Sequence, residues 1–209
     1  MSEPTGRQPT SHERRSGQPW DASYQDGPAP WDIGRPQPAI ALLAADGGFT
    51  GTVLDAGCGT GENTLHIAAL GLRVVGVDVA ETALAIARAK THDLDAAFTT
   101  ADAFHLDRLD RVFDTVLDCG LFHTLDTDER RRYVTSLASV TARGAVLYVL
   151  CFSDVGPGAV GPHPVSQDDL RAAFTSGSGW EVRAIEPSRI ITRFDEDGMA
   201  AWLAALDRI

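Results

Sequence analysis

The stretch Val53-Leu54-Asp55-Ala56-Gly57-Cys58-Gly59-Thr60-Gly61-Glu62-Asn63-Thr64 decides the fold. Residues 52–55 are β-branched and apolar up to an acid and predict a strand. Residues 61–70 carry helical spacing, and Gly71 stands where a left-handed cap closes a helix. Between the two, glycines at 57, 59 and 61 let the backbone turn sharply and approach a ligand with no Cβ in the way. A second β-rich run, 73–78, ends in Asp78, 17 residues past Gly61, where a carboxylate can accept from both hydroxyls of a ribose. The spacing is not that of a dinucleotide site. Such a site reads GxGxxG with a pyrophosphate on the helix N-terminus, whereas here the glycines alternate and Asp55 stands two residues before the first. An acid at that point opposes a pyrophosphate and suits a cationic ligand.

Outward from this stretch, short β-rich runs alternate with helical patterns, the signature of a parallel sheet with crossover helices. Strands are expected at 97–100, 112–118 and 145–152, and helices at 81–90 and 126–142, the second opened by a capping box of Asp126 and Glu129. The run 145–152 is apolar throughout, as in a strand buried on both faces. A Gly- and Pro-rich loop, 154–165, precedes a helix capped by Ser166 and Asp169. Residues 180–186 and 189–194 are expected as an antiparallel hairpin turning at Pro187-Ser188, and residues 199–209, rich in Ala and Leu, as a final helix. On the N-terminal side a short helix is expected at 39–45. Seven of the eleven prolines fall in residues 1–38, and residues 1–16 read as a disordered tail. Trp20, Tyr24 and Trp31 then stand in a Pro- and Gly-rich stretch, where aromatic residues need something to cover, either the core or a ligand pocket. The expected division is a tail, 1–16, an N-terminal lid and helix, 17–50, and one α/β domain, 51–209.

The segments DAGCGTG and VVGVD resemble those of the class I S-adenosylmethionine-dependent methyltransferases. The resemblance implies a Rossmann-like seven-stranded sheet, mostly parallel with an antiparallel last strand, with helices on both faces and S-adenosylmethionine as cofactor. It implies that Asp55, Gly57, Cys58, Gly59, Gly61 and Asn63 pass the methionine moiety and that Asp78 and Val79 hold the ribose. Asp102 and Ala103, after the third strand, would serve the adenine, and Asp118 and Cys119, after the fourth, would face the transferable methyl group. The stretch Trp20…Tyr24…Gly27…Pro30-Trp31-Asp32…Gly34…Pro36 is similar to the start of the thiopurine, thiol and halide methyltransferase group, where it folds over the cofactor. With Leu121-Phe122-His123 it looks closer still to the bacterial heterocyclic toxin methyltransferases, which alkylate hydroxyl, thiol or ring nitrogen on quinolone-like compounds. Trp20 and Trp31 are then expected against the cofactor, and Tyr24, Trp31 and His123 around the acceptor. Aromatic walls suit both a planar acceptor and a sulfonium cation.

His123 is the expected general base, since an imidazole of ordinary pKa takes a proton near neutrality; the alternative is a histidine packed beside the helix start at Asp126. His66 reads as structural, His105 and His163 as weaker candidates near the rim, and His12, in the tail, carries no weight. Cys58, Cys119 and Cys151 read as reduced packing thiols; no two stand at CxxC spacing, and no metal site is expected. The chain carries 18 basic and 29 acidic residues, a net charge of −11, which argues against a nucleic-acid or anionic-membrane partner. Asp55, Asp78, Asp102 and Asp118 each end one of the first four expected strands, so part of this acidity is expected on a cofactor-binding rim. No apolar run is long enough for a membrane span or a signal peptide, and a cytoplasmic monomer or homodimer with a small-molecule acceptor is expected. The expected reaction is methyl transfer to O, S or N of a small heteroaromatic or phenolic molecule. Thiol or halide methylation, and a non-catalytic cofactor-binding protein, stand as alternatives.

Overall fold

Val53 and Leu54 are adjacent in sequence, are both fully buried, and belong to different hydrophobic clusters. A strand points successive side chains to opposite faces, so their burial means that the strand carrying them, β1 (Thr52–Ala56), is covered on both sides. The computed structural model describes residues 7–155 and 163–209. In it β1 pairs in parallel with β2 (Arg73–Asp78) on one side and β4 (Phe113–Cys119) on the other. Beyond these lie β3 (Ala96–Thr100) and β5 (Thr141–Phe152), then β7 (Asp195–Arg208) and β6 (Trp180–Thr192), giving the order β3-β2-β1-β4-β5-β7-β6. β7 alone runs against the direction of the other six strands. On one face Leu54, Val116, Leu147 and Val149 pack with Tyr133, Val134 and Leu137 of α5 (Thr127–Val140) and Leu170 of α6 (Gln167–Ala173). On the other, Val53, Val74, Leu117 and Leu150 pack with Ile40 and Ala44 of α2 (Pro38–Ala45) and Ile67 and Ala68 of α3 (Glu62–Ala69). The strand order reverses between β1 and β4, and a crevice opens there beyond the carboxyl ends of the strands, the usual ligand position in such sheets.

The seven-stranded, mostly parallel sheet matches the expected fold, but two of its strands are not where they were expected. Residues 199–208 form strand, not helix. Trp202, Ala204 and Leu206 face one cluster while Ala201, Leu203 and Ala205 face the other, so this Ala- and Leu-rich run lies in the sheet between β5 and β6 and its helical propensity is overridden by burial on both faces. The expected hairpin at Pro187-Ser188 is also absent. β6 runs unbroken through Pro187, and it can do so because β6 is an edge strand, where a missing N–H breaks no second ladder.

The expected tail holds a third departure. Ser11–Ser16 form a helix, α1, with a complete capping box between Thr10 and Glu13. Ser11 donates its backbone N–H to Glu129 Oε1 at 2.6 Å and its hydroxyl to Glu129 Oε2 at 2.5 Å. Thr10, Ser11 and Glu13 are buried. Residues 1–6 and most of the expected loop at 154–165, namely 156–162, lie outside the described residues.

Candidate active site

The turn from β1 into α3 is built by glycines with positive φ. At Gly61 (φ 83°) a Cβ would stand 2.7 Å from the Phe98 ring and 3.0 Å from Ala87, so α3 can start there only without a side chain. At Gly59 (φ 52°) a Cβ would lie 3.1 Å from the Tyr24 hydroxyl, which closes over the loop from the N-terminal segment. Asp78 pins the same loop: Oδ2 accepts the Gly59 N–H and Oδ1 the Ala80 N–H, each at 2.9 Å. Burial pushes its pKa up against those N–H donors. α4 (Glu81–Ala89) follows at once.

Above the loop lies a cavity of about 900 Å³. Its floor includes Gly57, Cys58, Gly59, Asn63, Asp78, Val79, Asp102, Ala103 and Cys119, so most of the expected cofactor contacts come together. Asp102 lines it while capping the following turn: its Oδ1 accepts the Phe104 N–H at 3.0 Å. Asp55 and Asp118 do not line it, although they end their strands as expected. Asp55, 1% exposed, turns behind the loop and accepts the Thr64 hydroxyl at 2.6 Å; burial raises its pKa to about 6. Asp118, fully buried, folds back to accept the Leu121 and Phe122 N–H groups at 2.9 and 3.2 Å, and burial raises its pKa to about 7. These carboxyls are braces beneath the rim, because each faces a local donor that holds its side chain inward. Gly61 also stands off the lining, fixing the start of α3 instead. The thiols of Cys58, Cys119 and Cys151 are all pushed up by burial, as packing residues are.

The roof is the N-terminal segment. Asp21 accepts the Thr82 N–H and hydroxyl at 2.7 and 2.9 Å, tying the 3-10 turn Trp20–Tyr24 to the start of α4. Asp32 accepts the Thr60 hydroxyl at 3.0 Å, and the Gln37 side chain pairs with both backbone groups of Ile191 on β6 at 2.9 Å. Between these ties the Trp31 indole donates to the Tyr24 hydroxyl at 2.9 Å, and Trp20 stands edge-on to Trp31 with ring centres 5.8 Å apart. Trp20, Tyr24 and Trp31 all line the cavity.

His12, read from sequence as part of a tail, is there as well: its ring stacks on Trp20 at 4.4 Å with 14° between planes. The signal that could have found it is Thr10-Ser11-His12-Glu13, a capping box. His123 lines the cavity beside Phe152, ring centres 4.3 Å apart. Its Nδ1 accepts the Phe152 N–H at 3.2 Å, and burial lowers its pKa to about 3. The neutral ring therefore carries its proton on Nε2. A neutral ring with its acceptor nitrogen occupied fits a hydrogen-bond donor better than the general base expected from sequence. His66, His105 and His163 are not in the lining.

A seven-stranded sheet with one antiparallel strand, a three-glycine turn at its switch point and an acid ending β2 together define a class I methyltransferase. The comparisons agree. The methyltransferase domain family model matches residues 53–144. The chain is 36% identical to the 2-heptyl-1-hydroxyquinolin-4(1H)-one methyltransferase of Mycobacteroides abscessus, across 84% of this chain and 79% of that one. A structure solved in work on conversion of a disulfide bond into a thioacetal group during echinomycin biosynthesis superposes with a TM-score of 0.77 at 39% identity, covering 86% of this chain and 84% of that one. Magnesium protoporphyrin IX methyltransferase from Synechocystis, solved with S-adenosylmethionine bound, gives 0.62 at 26% identity over 82% and 76%. The chain belongs to the class I S-adenosylmethionine-dependent methyltransferases and is a small-molecule enzyme of that family.

Its residues fit the cofactor. A Cβ at Gly57 (φ 79°) would be strained by its left-handed backbone and crowded at 3.1 Å by Leu121, so glycine suits the cradle, and the loop faces an acid rather than a basic residue. S-adenosylmethionine supplies an electrophilic methyl group on a sulfonium.

Proposed function

We propose that this enzyme methylates a hydroxyl oxygen on a small planar heteroaromatic of the hydroxyquinolone kind. The observation that carries the proposal is the aromatic lining: His12 stacked on Trp20, Trp31 edge-on to Trp20, and His123 against Phe152 all border one cavity, and their rings suit a flat acceptor. The name of the hydroxyquinolone methyltransferase relative supports the same acceptor class. In this reading Gly57, Cys58, Gly59 and Asn63 flank the amino-acid end of the cofactor, Asp78 and Val79 its ribose and Asp102 and Ala103 its adenine. Cys119 lies on the side of the methyl group.

The chain's own residues then act by position. Tyr24 and Trp31 close the roof and keep water out, and their aromatic rings would suit a sulfonium cation held beneath them. His123, fixed by the Phe152 N–H, presents its Nε2–H to a carbonyl or ring acceptor of the substrate and orients it. Methyl transfer to an oxygen needs the acceptor in line, and holding it so contributes several kcal/mol in effective concentration, on the order of 7–11 at best.

The test is turnover of methyl-labelled S-adenosylmethionine with 1-hydroxyquinolones, phenols, aromatic thiols, bisulfide and iodide, with the product identified by mass spectrometry. O-methylated hydroxyquinolone is the expected product. Turnover confined to bisulfide or iodide would sink the proposal.

A further inference from the structure

His12 differs from every other histidine of the chain in combining three properties. It lines the cavity, its ring is held by a stack on Trp20, and neither of its ring nitrogens has a hydrogen-bond partner among the described residues. His123 shares the cavity but its acceptor nitrogen is taken by the Phe152 N–H. His12 is also firmly placed: the preceding residue, Ser11, gives two hydrogen bonds to the buried Glu129, and the following one, Glu13, holds Arg7 and caps α1. We propose that His12 is the proton-accepting residue of the reaction, delivered into the acceptor half of the site by α1, so that the N-terminal cover contributes chemistry as well as closure. This rests on the hydroxyl-acceptor reading above.

The proton balance is simple. As the acceptor oxygen forms its bond to the methyl carbon, the carbon–sulfur bond breaks and its electron pair neutralises the sulfonium. The O–H proton passes to the free ring nitrogen of His12 and from there to water. The charged groups around His12 are Arg15 and Glu13 on its own helix and Arg7 on the cavity wall, and the titratable His123 lines the same cavity. Burial and Arg15 hold the imidazole below its ordinary pKa, with Glu13 opposing, so it is neutral and ready to accept at pH 7.

The test uses the full chain with His12→Phe, which keeps a ring to stack on Trp20, and His12→Gln as a second variant should the first lose its fold by thermal melting. One readout is spectroscopic. With S-adenosylhomocysteine present and no turnover, a nitrophenol bound in the site is titrated by its phenolate absorbance. The wild type is expected to titrate lower than His12→Phe by about one pH unit or more, since an imidazolium formed beside the oxygen favours the anion. The other readout is kinetic: the variants should lose about 100-fold more kcat with a phenol that is protonated at pH 7 than with a fluorinated phenol already ionised there. Equal losses with both phenols, or coincident titrations, would overturn the assignment while leaving the hydroxyl-acceptor reading intact. A wild type that turns over only iodide, which has no proton to lose, would overturn both.

Discussion

Ser11 and Glu129 are 118 residues apart in sequence and share two hydrogen bonds, from the Ser11 N–H and hydroxyl, at 2.6 and 2.5 Å. Glu129 also accepts the Asp126 N–H at 3.0 Å within the capping box of α5, so one buried carboxylate holds both the start of that helix and the docked position of α1. Ser11→Ala removes the hydroxyl bond and spares the capping box. The expected cost is about 1–2 kcal/mol, localised to α1. Arg14 and Arg15 on that helix are exposed, so cleavage by trypsin after either should speed up roughly tenfold while the thermal midpoint of the whole protein moves little. A uniform loss of stability without faster cleavage would show that α1 is not held there.

Gly61 and Gly59 share a loop and are expected to fail differently. An alanine at Gly61 meets the Phe98 ring at 2.7 Å in addition to its left-handed backbone, so Gly61→Ala should cost roughly 2–4 kcal/mol of stability. At Gly59 the neighbour is the Tyr24 hydroxyl at 3.1 Å, the end of a side chain that can give way. Gly59→Ala should therefore leave most of the stability, losing about 1–2 kcal/mol to backbone strain, and weaken S-adenosylhomocysteine binding at least tenfold. Calorimetric titration beside thermal melting separates the two. Equal melting losses would mean that the Phe98 contact is not what fixes Gly61.

The region from β1 to β2 was legible in sequence because local chemistry decides it: alternating glycines that need positive φ, and short apolar strands on either side. Residues 199–208 were not. Its first eight residues, 199–206, are apolar at every position and so have no period to read, and the place of the run between β5 and β6 is a long-range fact. Pro187 misled for a related reason, since a proline ends a strand only where its N–H is wanted. In the site, the strand ends announced Asp55 and Asp118 but not the side to which each carboxyl turns, which depends on Thr64 and on the N–H groups of Leu121 and Phe122. His12 was lost because a six-residue helix has no apolar stripe, and its place in the site depends on the docking of Ser11 on Glu129, 118 residues away.

Asp118 makes stability depend on pH. Its pKa is raised to about 7 in the folded protein, against about 3.9 for an ordinary aspartate. A carboxyl whose folded pKa lies above its unfolded value favours the fold fully while protonated, below the unfolded pKa, and that stability is lost as pH rises through about 7. Asp118→Asn keeps an oxygen for the Leu121 and Phe122 N–H groups and cannot ionise. Relative to the wild type it should become more stable between pH 4 and pH 8, reaching roughly 2–4 kcal/mol at the alkaline end. Denaturant unfolding at a series of pH values reads this directly, and a difference independent of pH would show that the carboxyl is ionised throughout.

At His123 the geometry fits a donor better than the general base expected from sequence. A general base at this position would give an acidic limb in the pH dependence of kcat/KM and would leave little activity once removed. With its Nδ1 taken by the Phe152 N–H and its pKa lowered to about 3, the ring is neutral across the assay range and offers only a donor. Asparagine can place an oxygen near Nδ1 but loses the Nε2–H. His123→Asn should therefore raise the acceptor KM about five- to tenfold, the loss of one neutral hydrogen bond, and lower kcat far less. The position of the acidic limb should be unchanged, because it belongs to another group. A limb that disappears in His123→Asn, with kcat down by 100-fold or more, would restore the base to His123 and leave the ring of His12 as a wall.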